Sequence, residues 1–475
     1  MKKILISILF LLAPYLLSAK NTVKLSGNIR FPISDTISVS YSDNWVAYYP
    51  KDFFAALDKK GNFSMEFPVP EGIYTQAEIR YANRIAEIIF QPGDSLVMTV
   101  DINDFDSTIH YKGRGSERAN FIALHTRTRG RMNQYTIKTK EAINQPPDLF
   151  INDIQKLKNA EIAFLEAHSK NLTPDFKRHW AKYYEYYNYF FMEQYPLVHE
   201  MIRKRHFTDT IPDTNYYPVR QMPILLNDSM IDLPPYLLYL SGLYESKLKA
   251  AGYSFYVLDT IKMKKFEDSV FKLAYKNMPP ASADYFIAQN LYSKIRALPL
   301  EKTRPIYNEF VAHFPKSPYL GVIDKQFALV ERLLPGQPAP EIEIRLEDGS
   351  IKKLSDFRGK VVYLNFWASW CRQCVGEIAH ETKMKELMKK QPVEFIYLSL
   401  DEDTASEYSL IHKYKIEGTF GTLPAGWKSK EIEDYGVQQL PAYFLIDPDG
   451  KFAIQTPATP NQSTTLILQI EKLIK

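Results

Sequence analysis

The chain has 475 residues, of which 45% are hydrophobic, and a formal net charge of +4. Residues 1–19 hold two lysines and no acids, so the remainder carries +2, and this near neutrality argues against nucleic acid as a partner. The length predicts two or three domains of roughly 100 to 200 residues each. The two cysteines, Cys371 and Cys374, are too few for a fold held together by disulfides.

Residues 1–19 have the composition of a secretory signal. A lysine pair is followed by an apolar run from Ile4 to Leu17 and then by serine and alanine, which predicts a cleaved signal peptide. The run contains Pro14 and is shorter than the about 20 apolar residues of a membrane span. No cysteine follows it to carry a lipid. We therefore expect a periplasmic protein that is not a lipoprotein.

Residues 20–112 predict a small antiparallel β domain. Apolar residues alternate with polar ones in several short segments. These segments are Val23–Leu25, Ile37–Tyr41, Phe63–Phe67 and Leu96–Ile102. Turn signals such as Pro92-Gly93-Asp94 lie between them.

Residues 113–333 predict a mainly helical middle region, because apolar positions recur every three to four residues and prolines mark segment ends. The tyrosine-rich stretch Tyr183–Tyr195 is either an aromatic binding surface or helical core, and core packing is favoured. The arginines Arg127, Arg129 and Arg131 are either an anion site or a solvated helix end, and the helix end is favoured.

Residues 334–475 alternate short strands with helices, which predicts an α/β sheet covered by helices on both faces. The predicted strands are Val361–Phe366, Val393–Leu400, Ala442–Ile446 and Lys451–Ile454. The predicted helices are Val375–Lys390, Asp403–Tyr414 and 462–474. Asp447–Gly450 predicts a hairpin turn.

The two cysteines lie between a predicted strand and a predicted helix. Two intervening residues let their sulfurs close a small ring, and the helix N-terminus stabilises a thiolate on Cys371. A purely structural disulfide is disfavoured, because so short a loop restricts the unfolded chain little. Zinc would need two more ligands, and His380 and His412 do not provide a recognisable spacing. The pattern indicates disulfide exchange without a metal or another cofactor.

The exchange chemistry assigns a role to each cysteine. Cys371 is predicted to be the attacking nucleophile, because a helix N-terminus lowers a thiol pKa from about 8.5 to roughly 3.5 to 7.5. Arg372 adds a nearby positive charge. Cys374, one turn into the helix, is predicted to be the resolving thiol that releases the reduced substrate.

Several motifs follow one another in residues 334–475. They are Gly336–Pro340, Leu354–Lys360, Asn365–Cys371, Tyr435–Val437 and Leu440–Asp447. In this order they resemble the thioredoxin-fold family, and within it the TlpA/ResA-type thiol-disulfide oxidoreductases. The likeness covers under a third of the chain. The preceding region looks like the extension found in some exported members, a likeness that carries no function.

The resemblance implies further site residues. Pro441, preceded by Leu440, matches the proline that is cis in this fold and faces the cysteines, where the adjacent backbone pairs with an extended substrate segment. Glu377 matches an acid that tunes the cysteine pKa values and relays protons, although an acid early in a helix also stabilises the helix. Asn365 stands where many thioredoxins have a buried acid.

The tryptophans near the site are expected to shape it without taking part in the chemistry. Trp367 and Trp370 are predicted to pack beneath and beside the cysteines. Two positions depart from the family pattern, because Gln373 and Ala379 stand where members often have proline. The first change adds a backbone N–H, so the redox potential cannot be carried over and the direction of exchange stays open.

Three functions compete. The leading one is an exported oxidoreductase that reduces disulfides of other envelope proteins, for which the family implies a membrane-bound electron donor of the thiol-disulfide type. A peroxidase is disfavoured, because Ala368 stands where a peroxidatic cysteine normally has a threonine three residues before it. From another class, residues 20–333 form a module that binds a glycan or protein, with exchange as a secondary property.

Overall fold

The computed structural model describes residues 21–47, 50–72, 74–132, 142–204, 225–250, 270–401, 404–414, 416–423 and 425–474. The predicted signal peptide, residues 1–19, lies outside these ranges. The chain forms two compact units that divide between residues 322 and 323, with residues 295–297 grouped with the second. No helix within the described residues is long and apolar enough to cross a membrane.

The N-terminal part of the first unit is built from strands. They are β1 (Thr22–Arg30), β2 (Thr36–Tyr41), β3 (Lys51–Ala56), β4 (Asn62–Pro68), β5 (Thr75–Tyr81), β6 (Arg84–Phe90), β7 (Ser95–Asp101) and β8 (His110–Arg114). They form two four-stranded sheets in the orders β4-β1-β7-β8 and β3-β2-β5-β6. The alternation of apolar residues explains why these segments form strands, since strands such as β4 bury every second side chain. The predicted antiparallel pattern is confirmed except between β1 and β7, which are parallel.

Helices make up most of the remaining described residues of the first unit, and α8 spans the point in the chain at which the two units divide. They are α1 (Phe105–Thr108), α2 (Ser116–Arg129), α3 (Pro147–His168), α4 (Pro174–Lys204), α5 (Pro234–Ala250), α6 (Pro280–Ala297), α7 (Leu300–His313) and α8 (Leu320–Arg332). Proline stands at or just before the first residue of several of them, where its missing N–H costs no hydrogen bond. The predicted helical middle region is confirmed.

The two features singled out in this region are part of its packing. Tyr183, Tyr184 and Tyr195 are buried, as the core interpretation expected. The prediction that the three arginines lie at a solvated helix end is wrong for two of them. Arg129 pairs with the buried Glu161 at 2.7 Å, and Arg131 donates to the Ile85 carbonyl, because neighbouring elements bring acceptors within their reach.

The second unit is an α/β domain around one sheet. Its strands are β9 (Glu343–Arg345), β10 (Ile351–Lys353), β11 (Val361–Trp367), β12 (Val393–Ser399), β13 (Thr419–Thr422), β14 (Ala442–Ile446) and β15 (Phe452–Ile454). Its helices are α9 (Arg372–Met388), α10 (Thr404–Tyr414), α11 (Lys430–Asp434) and α12 (Ser463–Glu471). The strand order is β10-β9-β13-β12-β11-β14-β15. This is a thioredoxin-like fold, as the resemblance implied.

The central strand β11 positions the cysteines. All seven of its residues are buried, which fits a strand covered on both faces. It runs parallel to β12 and antiparallel to β14. The chain leaves β11 at Trp367 and enters α9 at Arg372, so the cysteine pair lies at the carboxyl end of β11, where α/β sheets commonly place their sites.

Candidate active site

Cys371 is the residue that caps helix α9, and Cys374 lies within the first turn. The two side chains form a disulfide, with their Cα atoms 5.2 Å apart. Cys371 is 7% exposed and Cys374 is 1% exposed, so Cys371 presents more surface to an incoming sulfur. This difference agrees with the predicted order of attack by Cys371 and resolution by Cys374.

The start of α9 provides hydrogen bonding to the Cys371 sulfur. The backbone N–H of Cys374 donates to Cys371 Sγ at 3.1 Å, and the backbone N–H of Val375 donates to the Cys371 carbonyl. The first turn of a helix also carries the positive end of its dipole. Both effects stabilise a thiolate on Cys371 once the disulfide is reduced.

The residues between and before the cysteines face solvent. Arg372 and Gln373 are exposed, and 59% of the Trp370 side chain is exposed. Packing was predicted for both tryptophans, and it is confirmed for Trp367, which is fully buried. It is wrong for Trp370, because that residue follows the end of β11 and stands in the loop that precedes the helix.

An acid that the sequence did not point to fixes this loop. Asp401 is buried and accepts hydrogen bonds from the Ser369 backbone N–H and hydroxyl, both at 2.7 Å. Ser399 donates to the same carboxylate at 2.7 Å. Trp367 and Ser399 pair in the parallel register of β11 and β12, which brings the two following segments together. A carboxylate directly after a buried strand, at the same sheet end as the cysteines, is the signal that would have identified it.

A second buried acid lies behind Asp401. Glu407, on α10, is buried and accepts a hydrogen bond from the Thr422 hydroxyl at 2.9 Å. Burial raises the Glu407 pKa to about 7, and the negative charge of Asp401 adds to the rise. The Asp401 carboxylate that holds the loop therefore interacts with a second buried carboxyl group, whose pKa is about 7.

Pro441 lies at the same end of the sheet as the cysteines. The Leu440–Pro441 peptide bond is cis, as the resemblance implied, and Leu440 packs against the core of the unit. The following residue, Ala442, pairs with Phe366 near the end of β11. The backbone beside Pro441 is thereby held next to the loop that carries Cys371.

Glu377 is buried on α9, but its hydrogen bonds do not involve the cysteines. Its two oxygens accept from the backbone N–H and the side-chain amide of Asn461, at 2.9 and 2.8 Å. These bonds tie α9 to the 3-10 turn Pro460–Gln462. Its role in exchange stays a prediction, and its contribution to packing is direct.

Within the described ranges, no group of three or more His, Cys, Asp or Glu side chains is placed to hold a metal ion.

The fold and the site together define a class of protein. A cysteine pair at a helix N-terminus, next to a cis-proline in a thioredoxin-like sheet, is the arrangement of a thiol-disulfide oxidoreductase. The AhpC/TSA family matches residues 335–454.

Relatives of known activity specify the family. The thiol-disulfide oxidoreductase ResA of Bacillus cereus is 34% identical over 125 residues, which are 26% of this chain and 70% of the relative. ResA of Bacillus subtilis is 29% identical over 137 residues, which are 29% of this chain and 75% of the relative. The chain therefore belongs, through its C-terminal domain, to the ResA thiol-disulfide oxidoreductases.

Solved structures also match this part of the chain. A Chlorobium tepidum protein described as a thiol:disulfide interchange protein DsbE is 30% identical, with 30% of this chain and 99% of that chain aligned and a TM-score of 0.28. The thioredoxin domain of a Bacteroides vulgatus thiol-disulfide oxidoreductase is 25% identical, with 30% and 99% aligned and a TM-score of 0.28.

Proposed function

We propose that this thiol-disulfide oxidoreductase is exported to the periplasm and reduces disulfides of other envelope proteins through Cys371 and Cys374. The observation that carries the proposal is the position of Cys371 at the start of α9, with the Cys374 N–H directed at its sulfur. The signal-like composition of residues 1–19 supports export. The presence of only two cysteines also supports a reactive pair, because an exported protein whose fold depended on disulfides would carry several pairs.

The reaction proceeds through a mixed disulfide. The Cys371 thiolate attacks one sulfur of the substrate disulfide, forms the mixed disulfide and expels the other substrate sulfur as a thiolate, which takes up a proton. Cys374 then loses its proton and attacks Cys371 Sγ. The bond between Cys371 and the substrate breaks, and the second substrate thiol leaves. Two electrons pass to the substrate, the Cys374 proton is released, the two substrate thiolates take up protons from solution, and the enzyme disulfide remains.

A reductant must regenerate the dithiol after each cycle. We propose a membrane-bound donor of the thiol-disulfide type, which would reduce the Cys371–Cys374 disulfide by the same exchange in reverse. The exposed Trp370 directly precedes Cys371 in the chain, and the backbone beside Pro441 lies at the same end of the sheet. They are the surfaces against which an extended segment of a substrate or of the donor would lie.

Insulin reduction with dithiothreitol as the electron source tests the activity. Wild type should accelerate precipitation of the insulin chains, and Cys371→Ser should not exceed the uncatalysed rate. Trp427→Ala is a matched control, because it removes an exposed aromatic side chain and leaves both cysteines in place. Equal rates for wild type and Cys371→Ser would refute the activity.

Envelope extracts test the substrates. In Cys374→Ser the resolving thiol is absent, so envelope proteins should accumulate as mixed disulfides at Cys371 that dithiothreitol releases. The reduction potential then decides the direction, because a value near −270 mV is that of a reductant and one near −120 mV that of an oxidant. A potential near the upper value would overturn the proposed reducing role.

A cleft in the first unit favours the binding module as a second candidate function. It has a volume of about 490 Å³ and polar lining residues, among them His110, Lys112, Asn171 and His168. Such a lining suits a glycan or a polar protein segment. Partners that the Cys374→Ser protein retains without a covalent bond, and that His110→Ala with Lys112→Ala releases, would support this candidate.

A further inference from the structure

The loop that leads to Cys371 is held by a carboxylate that does not belong to the loop. Asp401 accepts the Ser369 backbone N–H and the Ser369 hydroxyl, both at 2.7 Å. Ser369 lies two residues before Cys371, so a change in these hydrogen bonds reaches the cysteine through one intervening residue. The surroundings of Asp401 therefore affect how Cys371 is presented, although Asp401 belongs to another segment of the chain.

The strand register brings a second carboxyl group to the same sheet end. Trp367, Ser399 and Thr422 are in line across β11, β12 and β13, so the Ser399 and Thr422 side chains point to the same face. The Ser399 hydroxyl donates to Asp401, and the Thr422 hydroxyl donates to Glu407 at 2.9 Å. Since neighbouring strands are about 4.8 Å apart, the two acids lie over adjacent strand ends.

The Ser399 hydroxyl links the two acids. It donates to Asp401 Oδ2 at 2.7 Å, and its hydrogen bonding also lowers the Glu407 pKa. A hydroxyl has one hydrogen to donate, so an ionised Glu407 competes with Asp401 for it. A protonated Glu407 does not need that hydrogen and leaves it to Asp401.

Glu407 has few donors for a charged group at this depth. Its exposed fraction is 0%. Oε2 accepts from Thr422, and Oε1 has no hydrogen-bond partner among the described residues. An ionised carboxylate in such a place is unfavourable, and an amide of the same size would fill the site without the charge. Packing alone therefore does not account for a carboxyl group here.

The groups that face Glu407 couple its charge to that of Asp401. Burial raises the Glu407 pKa to about 7, and the charges of Asp401 and Glu347 add to the rise. Hydrogen bonds from Thr422 and Ser399 oppose it. Because coupling between two sites is reciprocal, a charge on Glu407 disfavours the charge on Asp401 by the same free energy.

The other titratable groups near Glu407 come from α10 and from the turn between β9 and β10. Burial raises the pKa of Tyr408, and the charge of Glu407 adds to the rise, so Tyr408 stays protonated. Glu347 and Asp348 act on it in the same direction. His412 is exposed, and its Nε2 lies 3.4 Å from Glu347 Oε1. Among these groups, Glu407 is the buried carboxyl whose charge changes near neutral pH.

We propose that Glu407 is a positioning residue that makes the attachment of the Cys371 loop depend on pH. With a proton on Glu407, Ser399 and Ser369 both donate to Asp401, and the loop is fixed. When the proton leaves, the new charge competes for Ser399 and repels Asp401, so Asp401 binds Ser369 less firmly. The proposal rests on the disulfide exchange proposed above, since Cys371 must be held at the start of α9 for that reaction.

Hydrogen exchange of the Ser369 amide in the oxidised protein measures this attachment directly, because neither cysteine titrates in the disulfide state. Its protection, followed by mass spectrometry of peptides that end on either side of Ser369, should fall severalfold in wild type between about pH 6 and about pH 8. In Glu407→Gln the protection should stay at the level of acidic wild type. Glu433→Gln, which changes an exposed acid of the same unit, should follow wild type.

Thr422→Val should move the transition without abolishing it. Valine keeps the size of the side chain but removes the hydroxyl that stabilises ionised Glu407, so the midpoint should rise by roughly half a pH unit to one unit. A transition that persists in Glu407→Gln, or whose midpoint Thr422→Val leaves in place, would belong to another group and overturn the proposal. Protection that is independent of pH in wild type would overturn it as well.

Insulin reduction extends the test to the reaction. The ratio of the Glu407→Gln rate to the wild-type rate cancels the titration of dithiothreitol, which both proteins share. It should rise from about one near pH 6 to a few-fold near pH 8. A constant ratio would overturn the effect on exchange. If wild type did not reduce insulin at all, the exchange activity itself would be refuted, and Ser369 protection would still show whether Glu407 controls the loop.

Discussion

Glu161 of the helical region and Glu407 of the thioredoxin-like unit are both buried carboxylates, but their partners differ. Glu161 lies 2.8 Å from His125 Nε2 and 2.7 Å from Arg129 Nη2. Burial alone would raise its pKa, and the hydrogen bonds from His125 and Arg129 outweigh it and lower the pKa. Glu407 has a hydroxyl donor and an acidic neighbour, so its pKa rises to about 7.

The difference separates two uses of a buried acid. The Glu161 cluster joins α2 to α3, and removal of the Glu161 carboxylate would break this buried contact between the two helices. Glu407 carries a cost at neutral pH, and it belongs to the network that holds the loop before Cys371. In the first unit, therefore, the buried acid Glu161 stabilises helix packing. In the second unit, the buried acid Glu407 belongs to the hydrogen-bond network around the reactive site.

The largest effect is expected at Glu161. Glu161→Ala removes the buried carboxylate that contacts His125 and Arg129, which should destabilise the first unit by about 3 to 5 kcal/mol. Because the folded-state pKa is lowered, the stabilisation is present above the unfolded pKa and is lost as the pH falls through the folded value. Urea unfolding of wild type and variant at neutral and acidic pH measures both effects. Equal stabilities at neutral pH would contradict the structural use.

The opposite pH dependence is expected at Glu407. The folded-state pKa of about 7 lies above the ordinary glutamate value of 4.5. The unfolded state therefore binds fewer protons between these values, and stability falls as the pH rises through this window. Glu407→Gln removes the penalty. It should stabilise the second unit by about 3 kcal/mol above pH 7 and leave it unchanged below pH 4.5.

Urea unfolding across this pH range, followed by the fluorescence of Trp367 and its neighbours, measures the Glu407 effect. Glu433→Gln is the matched control, because Glu433 is an exposed acid on the same unit and should give no pH-dependent gain. A constant difference at every pH would show that the effect is packing and would remove the contrast with Glu161.

These comparisons also show what the sequence could reveal. Cys371, Cys374 and Pro441 each carry a local signal, in spacing or in the residues beside them, and the strands β11, β12 and β14 are long enough to show their apolar pattern. The strands β9, β10 and β13 have three or four residues, too few for an alternation to be recognised.

The acids around the site needed the three-dimensional structure. Asp401 meets Ser369 only because β11 and β12 pair in one particular parallel register. Glu381 reads in sequence as an ordinary helix residue, and its burial depends on which side of α9 faces the sheet. Trp370 is exposed because the strand ends three residues before it, a boundary that composition does not define.

The smallest effect is expected at Asp401. Its carboxylate accepts hydrogen bonds from the neutral donors Ser369 and Ser399, so its environment is intermediate between those of Glu161 and Glu407. Asp401→Asn keeps the size of the side chain but replaces charge-assisted hydrogen bonds by neutral ones, which should cost about 1 kcal/mol. The loop at Ser369 should loosen, and the rate of insulin reduction should fall a few-fold.

Ser369→Ala provides the comparison that assigns the Asp401 effect to the loop. It removes one of the two bonds from Ser369 to Asp401 and keeps the other, the backbone N–H bond, so its rate should lie between wild type and Asp401→Asn. The double variant should be no slower than Asp401→Asn alone, because both changes act on the same contact. Fully additive losses would mean that Asp401 affects exchange by a route other than its contact with Ser369.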